Sequence, residues 1–377
     1  MSPIICALIL CLKKLFFAAC GIFGIGFIIG FHEFGHFMFC KLFNIEVPSF
    51  SIGFGPRLIT KKIGETDFSI SAIPLGGYVE IGGASEEQGP LTERSFAGKP
   101  WYQKMLVMIG GISFNIIFAY ITLSILFMLG MPKSPIVYPL NATTTIAAVI
   151  PDSPAAQAGI VPGDILINAN DEPVTQSQLF IQQVRAHPKT AFSLTLQRIN
   201  GLQETLQVTT NQQELYGKPT GTLGLMFDMK NLDPLSFFAA LQHGAAMTHT
   251  MIKNTFYAYK NIILKTDVSQ VGGPIMIISE TMTGASKGIK ILLLFLSFIS
   301  VTLAILNLIP LPILDGGQML FYTIEALIGR PIPFNVRWYI HVSTWVAFMV
   351  LTVYLSIKDI AHIVHPYIEH VKNFFGF

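Results

Sequence analysis

The chain has 377 residues, a mean hydropathy of +0.56 and 12% charged residues, about half the roughly 25% usual in soluble domains. Its net charge of +2 is small and dispersed, which argues against a nucleic-acid partner. The missing charge excludes a disordered chain, a coiled coil and an ordinary soluble enzyme, and leaves a polytopic α-helical membrane protein with some soluble mass attached.

In chain order, the first apolar run extends from about Leu15 to Phe39, long enough to cross roughly 30 Å of hydrocarbon. Pro3 to Leu12 is also apolar, but Lys13 and Lys14 cut it short and no A-x-A-like cleavage site follows. It reads as a lead-in to the span rather than a signal-peptide core, so residues 1–40 form the first segment. Residues 41–104 come next and hold an alternating stretch, Phe68 to Tyr78, that reads as strand then turn. A second span covers 105–131. Composition becomes ordinary over 143–228, followed by an amphipathic linker region, 229–290. The third span segment is 291–317, the fourth 338–357, and 358–377 is a tail. Cys6, Cys11, Cys20 and Cys40 all lie in the first forty residues, none at a C-x-x-C spacing, and read as small buried apolar residues.

Lys and Arg near the span ends set an orientation. Lys41, Arg57, Lys61, Lys62, Arg94, Lys99 and Lys104 fall between the first two spans, with Arg330 and Arg337 between the last two. Lys13, Lys14, Lys358 and Lys372 lie on the other side. This places residues 41–104 in the cytoplasm and the 143–228 segment outside.

That soluble segment shows strands at Ile146–Ile150, Phe192–Gln197 and Leu206–Thr210. Between the first two, Ser153 suits a helix N-cap, Pro154 the first helical position and Gly159 the C-terminal cap. The string from Ser153 through Gly159 to Pro162-Gly-Asp-Ile-Leu-Ile-Asn168 resembles a PDZ domain, which binds extended peptides by adding a strand to a sheet edge.

The sharpest chemical signal lies inside the first span. His32 and His36, four residues apart on one helix face, can bind one metal, with Glu33 beside them as general base. Three ionisable groups in hydrocarbon are costly and mark function. Zinc needs a third protein ligand and an open position for water. Asp315 is the candidate, in Asn307-Leu-Ile-Pro-Leu-Pro-Ile-Leu-Asp315-Gly-Gly317, where two prolines and two glycines should break the helix. Asn115 and Asn307 sit in apolar runs. Each either bonds a neighbouring helix or holds substrate backbone, the second reading being favoured for Asn307. His341 reads as facing the helix bundle, and His187, His243, His249, His362, His365 and His370 as solvated or interfacial.

Taken together, these residues resemble the site-2 intramembrane metalloproteases of the bacterial regulator-of-sigma-E protease type, over nearly the whole chain. The carriers are His32-Glu-Phe-Gly-His36, Phe50-Ser-Ile-Gly-Phe-Gly55, Ala72-Ile-Pro-Leu-Gly-Gly-Tyr-Val79, Gly111-Ile-Ser-Phe-Asn115, the PDZ string and Asn307 to Gly317. The resemblance implies that His32, His36 and Asp315 are zinc ligands, that Glu33 is the base, and that Asn115, Asn307, Pro310 and Pro312 position substrate. It also implies a hairpin-like sheet dipping into the membrane, where Phe68, Ile70 and Ile73 lie on an edge that pairs with an unwound substrate strand. The implied fold is four transmembrane helices, a membrane-dipping β-element and an extracytoplasmic α+β PDZ domain. Ile112 stands where family members often have Pro, Gln318 where they often have His, and one PDZ unit is visible where the type member has two.

The expected activity is that of a zinc-dependent endopeptidase in the bacterial inner membrane, with its active site toward the cytoplasmic side. It would cleave transmembrane substrates in regulated intramembrane proteolysis, as of an anti-sigma factor or signal-peptide remnants. Its expected partners are single-pass membrane proteins, membrane lipid and an upstream protease of the site-1 type; no oligomer is implied. The rival reading is a non-catalytic scaffold or chaperone that holds substrates through the PDZ domain and a sheet edge. A zinc or ion transporter fits the ligands but not the peptide-binding domain. The PDZ domain is expected to gate substrates by size rather than to supply chemistry.

Overall fold

A run of apolar residues without an internal proline produces a single 40-residue helix, α1 (Pro3–Leu42), so the lead-in and the first span are continuous. The computed structural model describes residues 3–83, 92–215, 218–265 and 271–375. Two units result, Met1–Ile125 with Leu241–Phe377, and Leu126–Ala240. In the first, α1 is followed by β1 (Ser49–Ile63), β2 (Thr66–Glu80) and α2 (Trp101–Met128). In the second come β3 (Ala142–Val149), α3 (Pro154–Gln157), β4 (Ile165–Ala169), β5 (Glu172–Pro173), α4 (Ser177–Ala186), β6 (Ala191–Gln197), β7 (Gln203–Thr209), β8 (Asn211–Leu215), β9 (Lys218–Thr222) and β10 (Leu225–Met229). The chain then forms α5 (Phe237–Lys265), α6 (Pro274–Ser286), α7 (Ile289–Asn307), α8 (Asp315–Ile328) and α9 (Phe334–Phe375).

Four stretches among the described residues are long and apolar enough to cross a membrane: Cys11–Leu42, Trp101–Met128, Ile289–Asn307 and Phe334–Val364. The region expected to be a linker is instead α5 and α6, apart from residues outside the described ones. The start of α6 is capped from α9: the buried Asp359 carboxylate accepts from the amides of Gly273 (3.0 Å) and Met276 (2.9 Å). Those amides have no partner within their own helix, and a carboxylate suits its positive end. His341 is exposed on α9, not turned into a bundle. Cys40 is buried, whereas Cys11 is exposed.

The expected helix break at the end of the third apolar run is present, but the glycines take no part in it. The helix ends at Asn307, and the prolines at 310 and 312 lie in a short irregular segment. Gly316 and Gly317 do not break anything: they are the second and third residues of α8. Their value is space, since a Cβ on Gly316 would lie 2.6 Å from the carbonyl oxygen of Leu308, and one on Gly317 would collide with that of Leu311. The absence of Cβ lets α8 fold back against the segment that precedes it.

β1 and β2 are long bent strands, and their register makes four parallel rows from two strands. Phe68 lies between Lys61 on one side and Phe50 on the other, Ser69 between Thr60 and Ser51, and Ile70 between Ile59 and Ile52. Ser49 to Ile52 in turn pair with Gly77 to Glu80. The sheet lies along the middle of α1, where a Cβ on Gly26 would collide with the Pro74 carbonyl oxygen and one on Gly30 would touch Ile52. At the other end of the hairpin, Glu65 accepts from Arg94 and Lys41, each at 2.6 Å. Those two cations, Arg94 foremost, hold the Glu65 carboxyl below its usual range.

The second unit has the sheet order β10-β3-β4-β6-β7, with β5 on β4 and a separate β8–β9 hairpin. Alternation in β6 puts Phe192, Leu194 and Leu196 into a core with Ile146, Leu166, Phe180 and Phe227. Ser153 Oγ accepts from the Ala156 amide (3.2 Å), Pro154 opens α3, and Gly159 follows it in the left-handed region at φ +74°. Asp164 of the Gly-Asp string is fully buried and accepts from Arg198 (2.7 Å) and from the Val161 amide (3.0 Å). These strands and helices make an α+β unit, as expected for this segment.

Candidate metal centre

His32 and His36 stand one turn apart on α1, and both rings are buried. They meet Asp315, the first residue of α8, because the irregular segment after α7 turns the chain back toward α1. Among the described residues, these three are the only His, Cys, Asp and Glu groups that converge in the manner of a metal site. His32 Nε2 is 3.1 Å from His36 Nε2 and 3.2 Å from Asp315 Oδ2, and His36 Nε2 is 3.5 Å from the same oxygen. Ligand atoms held about 2.0–2.1 Å from one zinc in a tetrahedron stand about 3.3 Å apart. The triangle therefore has zinc's dimensions. Asp315 Oδ2 is buried and accepts no hydrogen bond, an orphan that a cation would satisfy.

Close crossing of α1 and α2 shapes this pocket. A Cβ on Gly35 would collide with the Gly110 carbonyl oxygen, and one on Gly111 would lie 2.5 Å from His36 Nε2 and 2.7 Å from His32 Cε1. Small residues at the crossing let the backbones approach, as between membrane helices generally. With α2 so near, His36 Nδ1 donates to the Val107 carbonyl at 2.8 Å. Asn115, one turn beyond Gly111, places its amide nitrogen 3.1 Å from His32 Nδ1.

Glu33 is half-buried on the neighbouring face of α1 and accepts from the backbone amide of Val79 in β2. Gly77 brings the strand to within contact of the Glu33 side chain, its would-be Cβ lying 3.7 Å from Cγ. Glu33 is thus held by the sheet, while His32, His36 and Asp315 stand on helices.

The other expected site residues divide. Asn115 is fully buried, with its side chain against the His32 ring. Phe68 and Ile70 are not on a sheet edge, because their backbone is flanked on both sides. Phe68 packs against Phe37 and Phe50, at 5.4 and 5.6 Å between ring centroids. The Ile70 and Ile73 side chains are exposed. Asn307 is buried at the end of α7, Pro310 is exposed and Pro312 half-buried in the connecting segment. Gln318 fastens that segment: its Nε2 donates to the Pro312 carbonyl at 2.6 Å, and Arg337 donates to its Oε1 at 3.3 Å. Ile112 is buried inside an unbroken α2. Val107 was not singled out by sequence reading, and Gly111 and Val79 entered it only as the ends of quoted strings, without a role. A role for Gly111 could have been read, since Gly111 and Asn115 share the same i,i+4 spacing as the two histidines they face.

Comparison with known proteins agrees with this geometry. A relative from Clostridium perfringens is 32% identical over 338 residues, covering 87% of this chain and 94% of its own. One from a Synechocystis strain is 29% identical over 373 residues, covering 96% and 98%. Each carries the name "Putative zinc metalloprotease". The PDZ domain of an SdrC-like protein from Listeria monocytogenes aligns with 23% of the chain and 87% of its own, at 17% identity and a TM-score of 0.20. The family model for peptidase family M50 matches residues 20–352. With that match spanning the histidine pair, Glu33 and Asp315, the chain belongs to peptidase family M50 and is a multi-pass, zinc-dependent metalloprotease.

Proposed function

We propose that the protein is an intramembrane endopeptidase that cuts single-pass membrane proteins from the cytoplasmic side of a bacterial inner membrane, with its PDZ unit on the opposite side. The observation that supports this best is the placing of His32, His36 and Asp315 within one zinc's dimensions, the two histidines on a membrane-length apolar helix, with Glu33 beside them. Bound there, zinc would supply Lewis acidity, bringing the pKa of a water to about 7 and polarising a carbonyl. Glu33 takes the proton from the attacking water and delivers it to the leaving amine. The Val79 amide fixes the direction of its carboxylate. A helical substrate has its amides hydrogen-bonded and must unwind first, so helix-poor or already trimmed substrates are preferred. The segment Gly77–Glu80, paired on one side with Ser49–Ile52 and running beside Glu33, is the strand against which an unwound substrate would lie. An upstream protease that trims the substrate is the partner this implies.

The test is Glu33→Gln, nearly isosteric and unable to take the proton. Cleavage of a transmembrane reporter should fall about 100- to 10,000-fold with zinc content unchanged. Turnover at the wild-type level would favour the scaffold reading. Membrane-bound proteins captured by this variant in native membranes, identified by mass spectrometry, would name the substrate. Tags in the segment before α2 and in Leu126–Ala240, probed for accessibility in intact cells, test the orientation, and finding both on one side would refute it.

A further inference from the structure

A histidine that binds a metal through Nε2 must carry its proton on Nδ1, and that N–H needs an acceptor when buried. For His36 the acceptor is plain: the Val107 carbonyl on α2, 2.8 Å from Nδ1. For His32 the same helix offers Asn115, fully buried, its amide nitrogen 3.1 Å from Nδ1 and its amide oxygen without any hydrogen-bond partner. An amide nitrogen is a donor and cannot receive the Nδ1 proton. Turning the amide by 180° exchanges the two ends. That single rotation brings the orphaned oxygen to the ring nitrogen and leaves no buried acceptor unpaired on this side chain. The backbone there is pinned as well, since Ser300 on α7, itself fully buried, donates to the Asn115 carbonyl at 2.9 Å.

We propose that the side-chain oxygen of Asn115 accepts a hydrogen bond from Nδ1–H of His32 and so fixes the tautomer that presents Nε2 to the metal. Asn115 is a positioning residue, acting through His32 and not on substrate. It completes a pattern in which α2 supplies one acceptor to each liganding ring, a carbonyl for His36 and an amide oxygen for His32. The inference rests on the zinc-protease reading.

The experiment measures zinc affinity of the purified full-length protein by competition with a chelator, for wild type, Asn115→Leu and Asn115→Asp. Leu keeps the approximate shape and removes the acceptor, so the dissociation constant should rise about 10- to 100-fold. Asp keeps an acceptor oxygen and should restore affinity to within a few-fold of wild type. A residue that only packs two helices would not show this rescue, because a buried carboxylate would then be at least as disruptive as Leu. Nitrogen-15 spectra of the zinc-loaded wild type, labelled at histidine, give a second readout that needs no variant to fold: His32 should be protonated on Nδ1 and slow to exchange. Wild-type affinity in Asn115→Leu, equal losses in Leu and Asp, or a His32 that ligates through Nδ1 would each overturn the proposal. A wild type that binds no zinc would instead refute the zinc-protease reading itself, so the two failures are distinct.

Discussion

The two imidazoles and the Asp315 carboxylate are useful only as a set, because each alone is a common buried polar group. Metal analysis of the purified protein should find close to one zinc per chain, and a His32→Ala/His36→Ala double variant should hold none. Retention of zinc by that variant would remove the ligand assignment. Gly111 sets a subtler condition. A methyl there would stand 2.5 Å from His36 Nε2, too near for the rings to keep their positions. Gly111→Ala should therefore reduce cleavage at least about tenfold and weaken zinc binding on the scale of lost ligand support, while Gly98→Ala, where nothing lies closer than 3.6 Å, should leave zinc binding intact. Equal behaviour of the two would mean that the crossing of α1 and α2 does not shape the pocket.

Strand β2 shows where alternation misleads. Small polar and apolar residues alternate from Phe68 to Ile73, and the family resemblance implied a free edge there, but the bends in β1 place partners on both sides of Phe68 to Ile70. Sequence gives the period of a strand and not the number of its neighbours. Proline removes a ladder donor, so Ile70→Pro should lower the melting temperature together with activity, whereas Ile70→Ala, on an exposed face, should leave both near wild type. A proline variant with full stability and no cleavage would return this strand to the substrate. The catalytic motif was legible for the opposite reason: H-E-x-x-H is read by helical spacing alone, and α1 is an uninterrupted helix. Asp315 could be found by its residue type at the end of an apolar run, but the helix that starts at it could not. Two glycines in a row read as a breaker when their function is to let α8 pack against its own approach. For Asn115 the sequence left open a bond to a neighbouring helix or a hold on substrate, because an intramembrane asparagine looks the same in either setting; the structure sets its side chain beside His32.

At the scale of the whole molecule, the α+β unit and the candidate metal centre come from different stretches of chain, and chain order places that unit between the second and third spans. If it acts as a gate, disturbing it should admit bulky substrates without slowing trimmed ones. Gly163 is a suitable lever: its φ of +96° suits glycine, and a Cβ would meet Ile199 at 2.9 Å. Gly163→Asp should permit cleavage of a full-length reporter that wild type excludes, while a truncated reporter is cut about as fast as before. Slower cutting of the truncated reporter, with the full-length one still intact, would make the unit a recruiter or a brace.

The three metal-binding side chains also lie at opposite ends of the message. Two appear as soon as the first helix is made; the third arrives only after α7 and its irregular extension have been synthesised. A chain halted before Asp315 therefore carries Glu33 but lacks a complete metal set. A chain ending at Leu314 should insert three of its spans and yet retain no zinc, and a zinc-loaded truncate would show that Asp315 is not needed to hold the metal.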